Sequence, residues 1–458
     1  MGAIVGVDIG SEAIKAVFAE EIDGKKIKVL AVASKKVTDD NVIGNGSIEQ
    51  ITTVAKLVGE VLDVLLKNVA NVLNDGLKKP HIDSININIS GEHLKQVQKK
   101  HVNHLNAGTI TAQTDIDYLY SEFCRINHSP INGTDILHVL PLKFMADMRE
   151  LNVEPIGRDC NSITLDANLL TVKSNYLKTL HTTVAHVKVK DHDGNPLKID
   201  KIVLSGLAAA TATLTDSQKK DGVILIDIGR EVTSILIFKN GNLKFQKQLF
   251  IGGKSISVDL RNAFKIKEDF AEKIKQEIIT LEIKTVNPHE IITIGKDEKT
   301  LKKIPKINAC LVAEARLIEL FAMVNAEIKL SGIDKEDLHD GIVLTGGTAN
   351  LDGLSALVSE LIGLETNLGE LDNFMETEID EATKLDYATA IGLALWDVRT
   401  CDVYESEKHA VPMPPPVTVN ITKPPVAELK GEDSSKKGNI FTNIFGKFGA
   451  SEVRGDEL

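Results

Sequence analysis

The chain has 458 residues, enough for two to four domains or subdomains, and 43% hydrophobic and 26% charged residues give it the makeup of an ordinary globular protein. Its 53 Lys and Arg stand against 65 Asp and Glu, a net charge of −12, so the overall field repels nucleic acid and anionic lipid and any membrane contact must be local. No apolar run reaches the roughly 18 residues needed to span a bilayer, and Cys124, Cys160, Cys310 and Cys401, scattered without a CxxC spacing, read as inert thiols of a reducing compartment.

The first informative element is "IVGVDIGSEAIKAVFAEEIDGKK" near the start. It predicts a β-rich run ending in Asp8-Ile9-Gly10, a second strand, and a turn at Asp23-Gly24. The start is apolar but carries Asp8 and no basic flank, so it is not read as a signal peptide. Near mid-chain the pattern returns as "VILIDIGREVTSILIFKNGNLK", with Asp227-Ile228-Gly229 and a turn at Asn240-Gly241. Two copies of one hairpin imply a duplicated domain. A glycine just past a buried strand lets backbone N–H groups approach an anion closely. Ser11 adds a hydroxyl donor, and Lys15 on the following strand is placed to reach a phosphate oxygen. An Asp at each strand end can hold Mg²⁺, through its waters, because that ion dehydrates reluctantly.

Between the copies, "INISGEHLKQVQ" (87–98) and "ILHVLPLKFMADMRELNVEPIGRDCNSITLDANLLTV" (136–172) predict a strand, a Ser-Gly turn and an inserted α/β unit. "LSGLAAATATL" (204–214) and "YATAIGLAL" (387–395) predict helices with small-residue faces, suited to close packing near a hinge. "IGGKSISVDL" (251–260) predicts a Gly252-Gly253 turn and a helix. "AEKIK" (271–275) places Glu272 and Lys275 on one helical face. "GIVLTGGTANLDGL" (341–354) predicts a buried strand, a turn at Gly346-Gly347, and a helix with Asn350 and Asp352 near its cap, where a ring and a phosphate find room.

In this order the motifs resemble the actin, hexokinase and 70-kDa chaperone superfamily, and the inserted unit after the Ser-Gly turn resembles the FtsA family of actin-like bacterial cell-division proteins. The resemblance covers about 400 residues. It implies an α/β, actin-like two-domain ATP-binding fold. The implied divisions are subdomain 1A at 1–91, 175–202 and 373–400, an inserted subdomain 1C at 92–174, subdomain 2A at 203–240 and 306–372, and subdomain 2B at 241–305. It implies a nucleotide site built from Asp8, Gly10, Ser11, Lys15, Asp227, Gly229, Gly252, Gly253, Glu272, Lys275, Gly346 and Gly347, with ATP and Mg²⁺ as cofactors and the ion held through water by Asp8 and Asp227. Relatives often carry Asp-Ile-Gly-Gly-Gly-Thr at the second loop. Here Arg230, Glu231 and Val232 follow Gly229, and Ser234 stands where many relatives have an Asp. Nucleotide binding is expected to survive and hydrolysis to be slow. Asp227 is the one candidate to orient a water, the alternative being a place behind the metal's waters, and Arg230 is expected to pair with Glu231 or with solvent, the alternative being a phosphate.

From about Cys401 the sequence turns proline-rich, and 401–437 reads as a disordered tether. Twenty such residues reach roughly 60 Å at about 3.1 Å each. At 438–450 follows a helix candidate: at about 100° per residue, Ile440, Phe441, Ile444, Phe445 and Phe448 fall in one arc of about 140°. Lys447 lies at the arc's edge. This is the pattern of a helix lying in a membrane interface, as opposed to one docked on the protein's own body. Together with the resemblance it implies a peripheral protein of the cytoplasmic face of the bacterial inner membrane, at the division site. Its implied partners are membrane lipid, other copies of itself in a filament, other division proteins, and FtsZ, captured around 241–305. The competing readings are an FtsA-like pilus assembly scaffold, which should lack the lipid-binding tail, and a small-molecule kinase, for which no acceptor-facing carboxylate can be placed.

Overall fold

The computed structural model describes residues 3–22, 26–73, 80–105, 110–127, 133–151, 153–295 and 301–396. The Asp23-Gly24 turn, the tether and the candidate membrane helix with Ile440, Phe441, Ile444, Phe445, Lys447 and Phe448 lie outside them. All described residues belong to one compact unit, Met1–Glu407.

Two sheets repeat one plan. The first runs in the order Lys198–Leu204, Ser84–Ile89, Ala3–Ile9, Ala13–Glu21, Ile27–Lys36, Met375–Glu376. The second runs Thr366–Leu368, Ile342–Thr345, Val223–Ile228, Thr233–Lys239, Asn242–Leu249. In each, an Asp-bearing strand pairs antiparallel with its hairpin partner and parallel with a strand on its other side. A third antiparallel strand extends the hairpin, and a further parallel strand extends the opposite edge. The echo in the sequence is therefore a repeat of five strands. Local chemistry explains the central ones. "VILIDI" is an unbroken apolar, β-branched run, as strands buried on both faces require. Val223 and Leu225 enter one hydrophobic cluster, and Ile224, Ile226 and Ile228 enter the other, which is the period of two made visible.

Helices close the layers. Ile51–Leu73 buries Val54, Val58, Val61, Leu65 and Val69 at helical spacing on the first cluster. Lys306–Leu330 does the same for the second with Ala313, Leu317, Leu320 and Val324. The two small-residue helices, Ser205–Thr213 and Ala388–Leu395, cross each other at the junction of the halves. The crossing is too tight for a side chain: a Cβ on Gly392 would stand 1.7 Å from the carbonyl oxygen of Ala208. Likewise a Cβ on Gly6 would stand 2.2 Å from the carbonyl oxygen of Ala390.

A third sheet, in the order Leu94–His104, Ser162–Lys173, Thr134–Ala146, Arg149–Leu151, is wholly antiparallel. The helix Gln113–Asn127 packs on it through Ile116, Leu119 and Phe123, giving this unit a small core of its own. At Asn240 and Gly241 φ is +55° and +77°, the left-handed pair that a two-residue hairpin turn demands.

Two expectations need correction. The helix after Gly346-Gly347 does not start at Asn350 or Asp352: a 3₁₀ turn spans Gly347–Asn350, and the α-helix begins only at Leu354, behind Gly353 in the left-handed conformation. The Asp352 carboxylate instead accepts a hydrogen bond from Thr280 at 2.7 Å, so it ties a neighbouring loop and caps nothing. Cys160 and Cys310 are free and buried, as inert thiols should be, but Cys124 is disulfide-bonded.

Candidate functional site

The repeated plan brings the two Asp-bearing strands to one cleft. Asp8 pairs across its hairpin with Lys15, and Asp227 across its own with Ser234. The Gly10 N–H donates to the Ala13 carbonyl at 3.2 Å, and the Gly229 N–H to the Val232 carbonyl at 2.9 Å. Both glycine N–H groups therefore close their own turns, which leaves the other N–H groups of each turn to meet an anion. Ser11 lies within the first of these turns.

Asp8 and Asp227 are half-buried, and Asp227 feels the charge of Asp8. Burial pushes Asp8 up to about 6, with the Lys15 charge opposing and Asp386 adding to the rise. Burial pushes Asp227 up to about 7, helped by the charge of Asp8 and opposed by Lys15. Asp8 is further held by Asn88, whose side-chain amide donates to it at 2.6 Å and to Ser205 Oγ at 3.0 Å. The Ile9 N–H donates to Asn88 Oδ1 at 2.7 Å. Asn88 and Ser205 thus join the Asp8 strand to the head of the helix Ser205–Thr213. Sequence reasoning missed both. The signal was available in "SININI", where Asn86 and Asn88 share one face of an otherwise apolar strand.

Lys15 reaches across the cleft to the loop before the second small-residue helix. Its Nζ donates to the Asp386 carbonyl at 2.7 Å, lies 3.5 Å from the Asp386 carboxylate, and stands 5.7 Å from the Tyr387 ring centroid. Its charge is thus shared between Asp386 and the Asp8–Asp227 pair.

The remaining predicted residues close the cleft on the Asp227 side. Gly346, at φ +85°, lies against Asp227: a Cβ there would stand 2.5 Å from Asp227 Oδ1. Gly252 and Gly253 pack on the Gly229 turn, where a Cβ on Gly252 would meet the Gly229 carbonyl at 2.5 Å and one on Gly253 would meet Thr348 Oγ1 at 2.4 Å. Gly347 has ordinary room beside Asp386. Lys275 donates to Glu272 at 2.6 Å and to the Gly253 carbonyl at 3.3 Å, and Ser257 donates to Glu272 at 2.5 Å. Burial would raise Glu272, but the Lys275 charge and hydrogen bond, with Ser257 and Arg230, hold it below the usual carboxylate range. The structure therefore places Gly346 against Asp227, Gly252 and Gly253 on the Gly229 turn, Lys275 and Glu272 beside Gly253, and Gly347 beside Asp386.

Arg230 departs from expectation. It does not pair with Glu231 and it is not a solvated turn residue: its side chain is 12% exposed. It donates to Glu12 at 2.9 Å, Asp40 at 3.1 Å and Glu268 at 3.2 Å, and lies 3.9 Å from Glu272. Glu12 and Asp40 belong to the first half, Glu268 and Glu272 to the second, so the guanidinium fork joins both sides of the cleft mouth. Lys254 repeats the link, to Glu231 at 2.7 Å and Asp40 at 2.9 Å, and Glu231 accepts from the Asn45 N–H at 2.9 Å. For Asp40, burial raises the pKa, but hydrogen bonds from Lys254 and Arg230 outweigh it and bring it below the usual range.

The model of the family described as "Cell division protein FtsA" matches residues 224–392. A protein of that name from Neisseria meningitidis serogroup B is 27% identical over 371 residues, covering 80% of this chain and 86% of the relative. One from Borreliella burgdorferi is 25% identical over 405 residues, covering 86% and 90%. Among solved structures, the chain resembles one titled "PilM-PilN type IV pilus biogenesis complex" with a TM-score of 0.55 at 14% identity, covering 86% of this chain and 97% of that one. The fold is the actin-like two-domain α/β fold.

Two outcomes follow from the electrostatics. Asp8 and Asp227 have raised pKa values, so the folded chain keeps protons that the unfolded chain releases; stability contributed by the protonated groups is lost as pH rises through the window from about 4 to about 7. Urea midpoints of the ligand-free chain should fall across that window, and Asp227→Asn should flatten the fall; an unchanged slope in the variant contradicts the assignment. Arg230→Ala should lower stability by about 1–3 kcal/mol because it strands several carboxylates, with Arg230→Lys restoring only part. Equal stability of all three chains in denaturant unfolding would show that the clamp is not formed in solution.

Proposed function

We propose, from its similarity to the FtsA family of cell-division proteins, that the chain is an ATP-binding, actin-like scaffold of bacterial division that tethers the FtsZ polymer to the cytoplasmic membrane. The observation that carries this reading is the convergence of two equivalent Asp-bearing hairpins on one cleft, with Gly346 and Gly347 beside Asp227 and Asp386. Two carboxyls sharing a buried space, each raised in pKa for want of full neutralisation, are the donor set that a hard, hydrated divalent cation suits. Asp8 and Asp227 would hold Mg²⁺ through its waters, and the ion would neutralise the phosphates of a bound nucleotide. Glu272 and Lys275 are the residues proposed to reach the ribose and adenine.

Hydrolysis in this reading is slow. Asp227 is the proposed residue to orient a water. Arg230 stands where the family commonly has glycine, and its charge is committed to Glu12, Asp40 and Glu268. Nucleotide thus acts mainly on cleft closure. The bridges from Arg230 and Lys254 hold the halves together at the cleft mouth, and an anionic triphosphate would compete with those carboxylates for the same cations.

The assembly functions rest on sequence and kinship. The region 241–305 is proposed to meet FtsZ, and the unit at 92–174 to meet neighbours in the filament or other division proteins. The apolar arc of Ile440, Phe441, Ile444, Phe445 and Phe448, with Lys447, is proposed as the lipid anchor. Five apolar side chains give reversible binding, and filament formation would strengthen it because each added anchor acts intramolecularly.

Fluorescent FtsZ mixed with anionic vesicles, ATP and this protein tests the reading. The full chain should carry FtsZ to the vesicles, and Phe445→Glu should reduce it about ten-fold or more, since a charge in the apolar arc opposes insertion. Vesicle binding without FtsZ would leave the anchor and overturn the tether; no vesicle binding by either chain would overturn the anchor.

A further inference from the structure

Far from the cleft mouth lies a second cluster of chemistry-bearing side chains. Among the described residues, one group of His, Cys, Asp and Glu can converge on a metal ion: His81, Asp83 and His192, with one ligand atom from each within 4.8 Å of the others. All three are exposed. His81 Nε2 lies 3.4 Å from Asp83 Oδ2, and His192 Nδ1 lies 2.8 Å from Asp83 Oδ1. The two imidazole centroids are 5.3 Å apart.

The backbone holds these groups in place. His81 and Asp83 flank Ile82, which is 1% exposed, so the extended segment pins its middle residue in the core and turns its neighbours outward. His192 sits in a turn closed by its own neighbours. The Asp191 carboxylate accepts from the Asp193 N–H at 3.0 Å and from the Asn195 N–H at 2.7 Å, and the Asp191 N–H donates to the Asn195 carbonyl at 3.0 Å. Side chains on two fixed segments, distant in sequence, therefore meet without a rearrangement of the main chain.

We propose that His81, Asp83 and His192 form a surface site for one divalent transition-metal ion of the zinc, nickel and copper type, with water completing its coordination. Imidazole with carboxylate is the donor set of such ions, and not of Mg²⁺ or Ca²⁺, which take oxygen. Ligands at about 2.0–2.2 Å from a tetrahedral ion stand roughly 3.4 Å from one another, the separation His81 Nε2 already has from Asp83 Oδ2, while His192 meets the other oxygen, Oδ1. The His192–Asp83 contact has to open by roughly half an ångström, and the ion takes the place of the proton that now joins them. His192 Nε2 lies 3.2 Å from Asp193 Oδ1, so its far nitrogen keeps a carboxylate partner while Nδ1 binds the ion, the arrangement that fixes a metal-bound imidazole.

The position gives the ion a structural role. Asp83 leads into the strand Ser84–Ile89, and the His192 turn precedes the strand Lys198–Leu204, which pairs with it in parallel from Lys198–Ser84 to Leu204–Ile89. An ion here staples one end of this pair. The other end carries Asn88 and Ser205, the residues that hold Asp8.

Calorimetric titration of the metal-free full chain with zinc chloride tests the proposal. Wild type should bind one zinc equivalent that His81→Gln and His192→Gln each weaken about ten-fold or more, while His186→Gln, an exposed histidine bonded only to its own helix, leaves binding unchanged. Zinc should raise the melting temperature of wild type and not of the two variants, and excess magnesium should not displace it. Cobalt(II) bound to wild type, read by its visible absorption, reports nitrogen and oxygen ligation without any variant having to fold. Equal zinc binding in wild type, His81→Gln and His192→Gln, or a cobalt spectrum dominated by thiolate bands, overturns the site.

Discussion

Two carboxyls held in one poorly hydrated space organise this protein. Asp8 and Asp227 end equivalent strands of two repeated sheets; burial makes both harder to ionise, and the charge of Asp8 adds to the effect on Asp227. Such an arrangement costs stability at neutral pH. The surrounding features read as consequences of keeping it: Asn88 donates to Asp8, Lys15 lends part of its charge to both, and Gly346 gives Asp227 space that no side chain can fill. The same feature that weakens the empty protein suits the site to a divalent ion and phosphate, which is why the proposed function rests on it.

At the cleft mouth the electrostatics have the opposite sign. Arg230 and Lys254 face Glu12, Asp40, Glu231, Glu268 and Glu272, a mixed network in which every cation serves both halves or a turn that touches both. Single exposed pairs contribute little, but a guanidinium that is 12% exposed and bonded to three carboxylates is costly to remove, because its partners are left without compensation. The floor of the cleft therefore favours added positive charge, while its mouth is closed by charges already present. In the proposed function a nucleotide with its metal relieves the first and competes with the second.

The parts legible in sequence are the local ones. Asp-Ile-Gly followed by a β-rich run and a turn declares a hairpin within about twenty residues, and two copies declare the repeat. Small-residue helices declare close packing, as Gly392 against Ala208 shows. What sequence could not supply is pairing over distance. Lys15 is fixed by Asp386, and Arg230 by Glu12 and Asp40, partners brought together only by the fold. Arg230 was misassigned because in a turn its nearest carboxylate along the chain is Glu231, whereas in space Glu231 is taken by Lys254 and Asn45. Asp352 looks like a helix cap until the intervening 3₁₀ turn moves the helix start beyond it.

The central claim is that the buried carboxyl pair is the seat of a metal-bound nucleotide. Calorimetry of Mg·ATP binding in buffers of different ionisation enthalpy tests it most directly, because an ion that favours the charged carboxyls must expel their protons. Near pH 6.5 the account predicts net proton release on binding that is lost or much reduced in Asp227→Asn. Tight Mg·ATP binding with no proton release, or with the same release in the variant, would contradict it and place the nucleotide elsewhere.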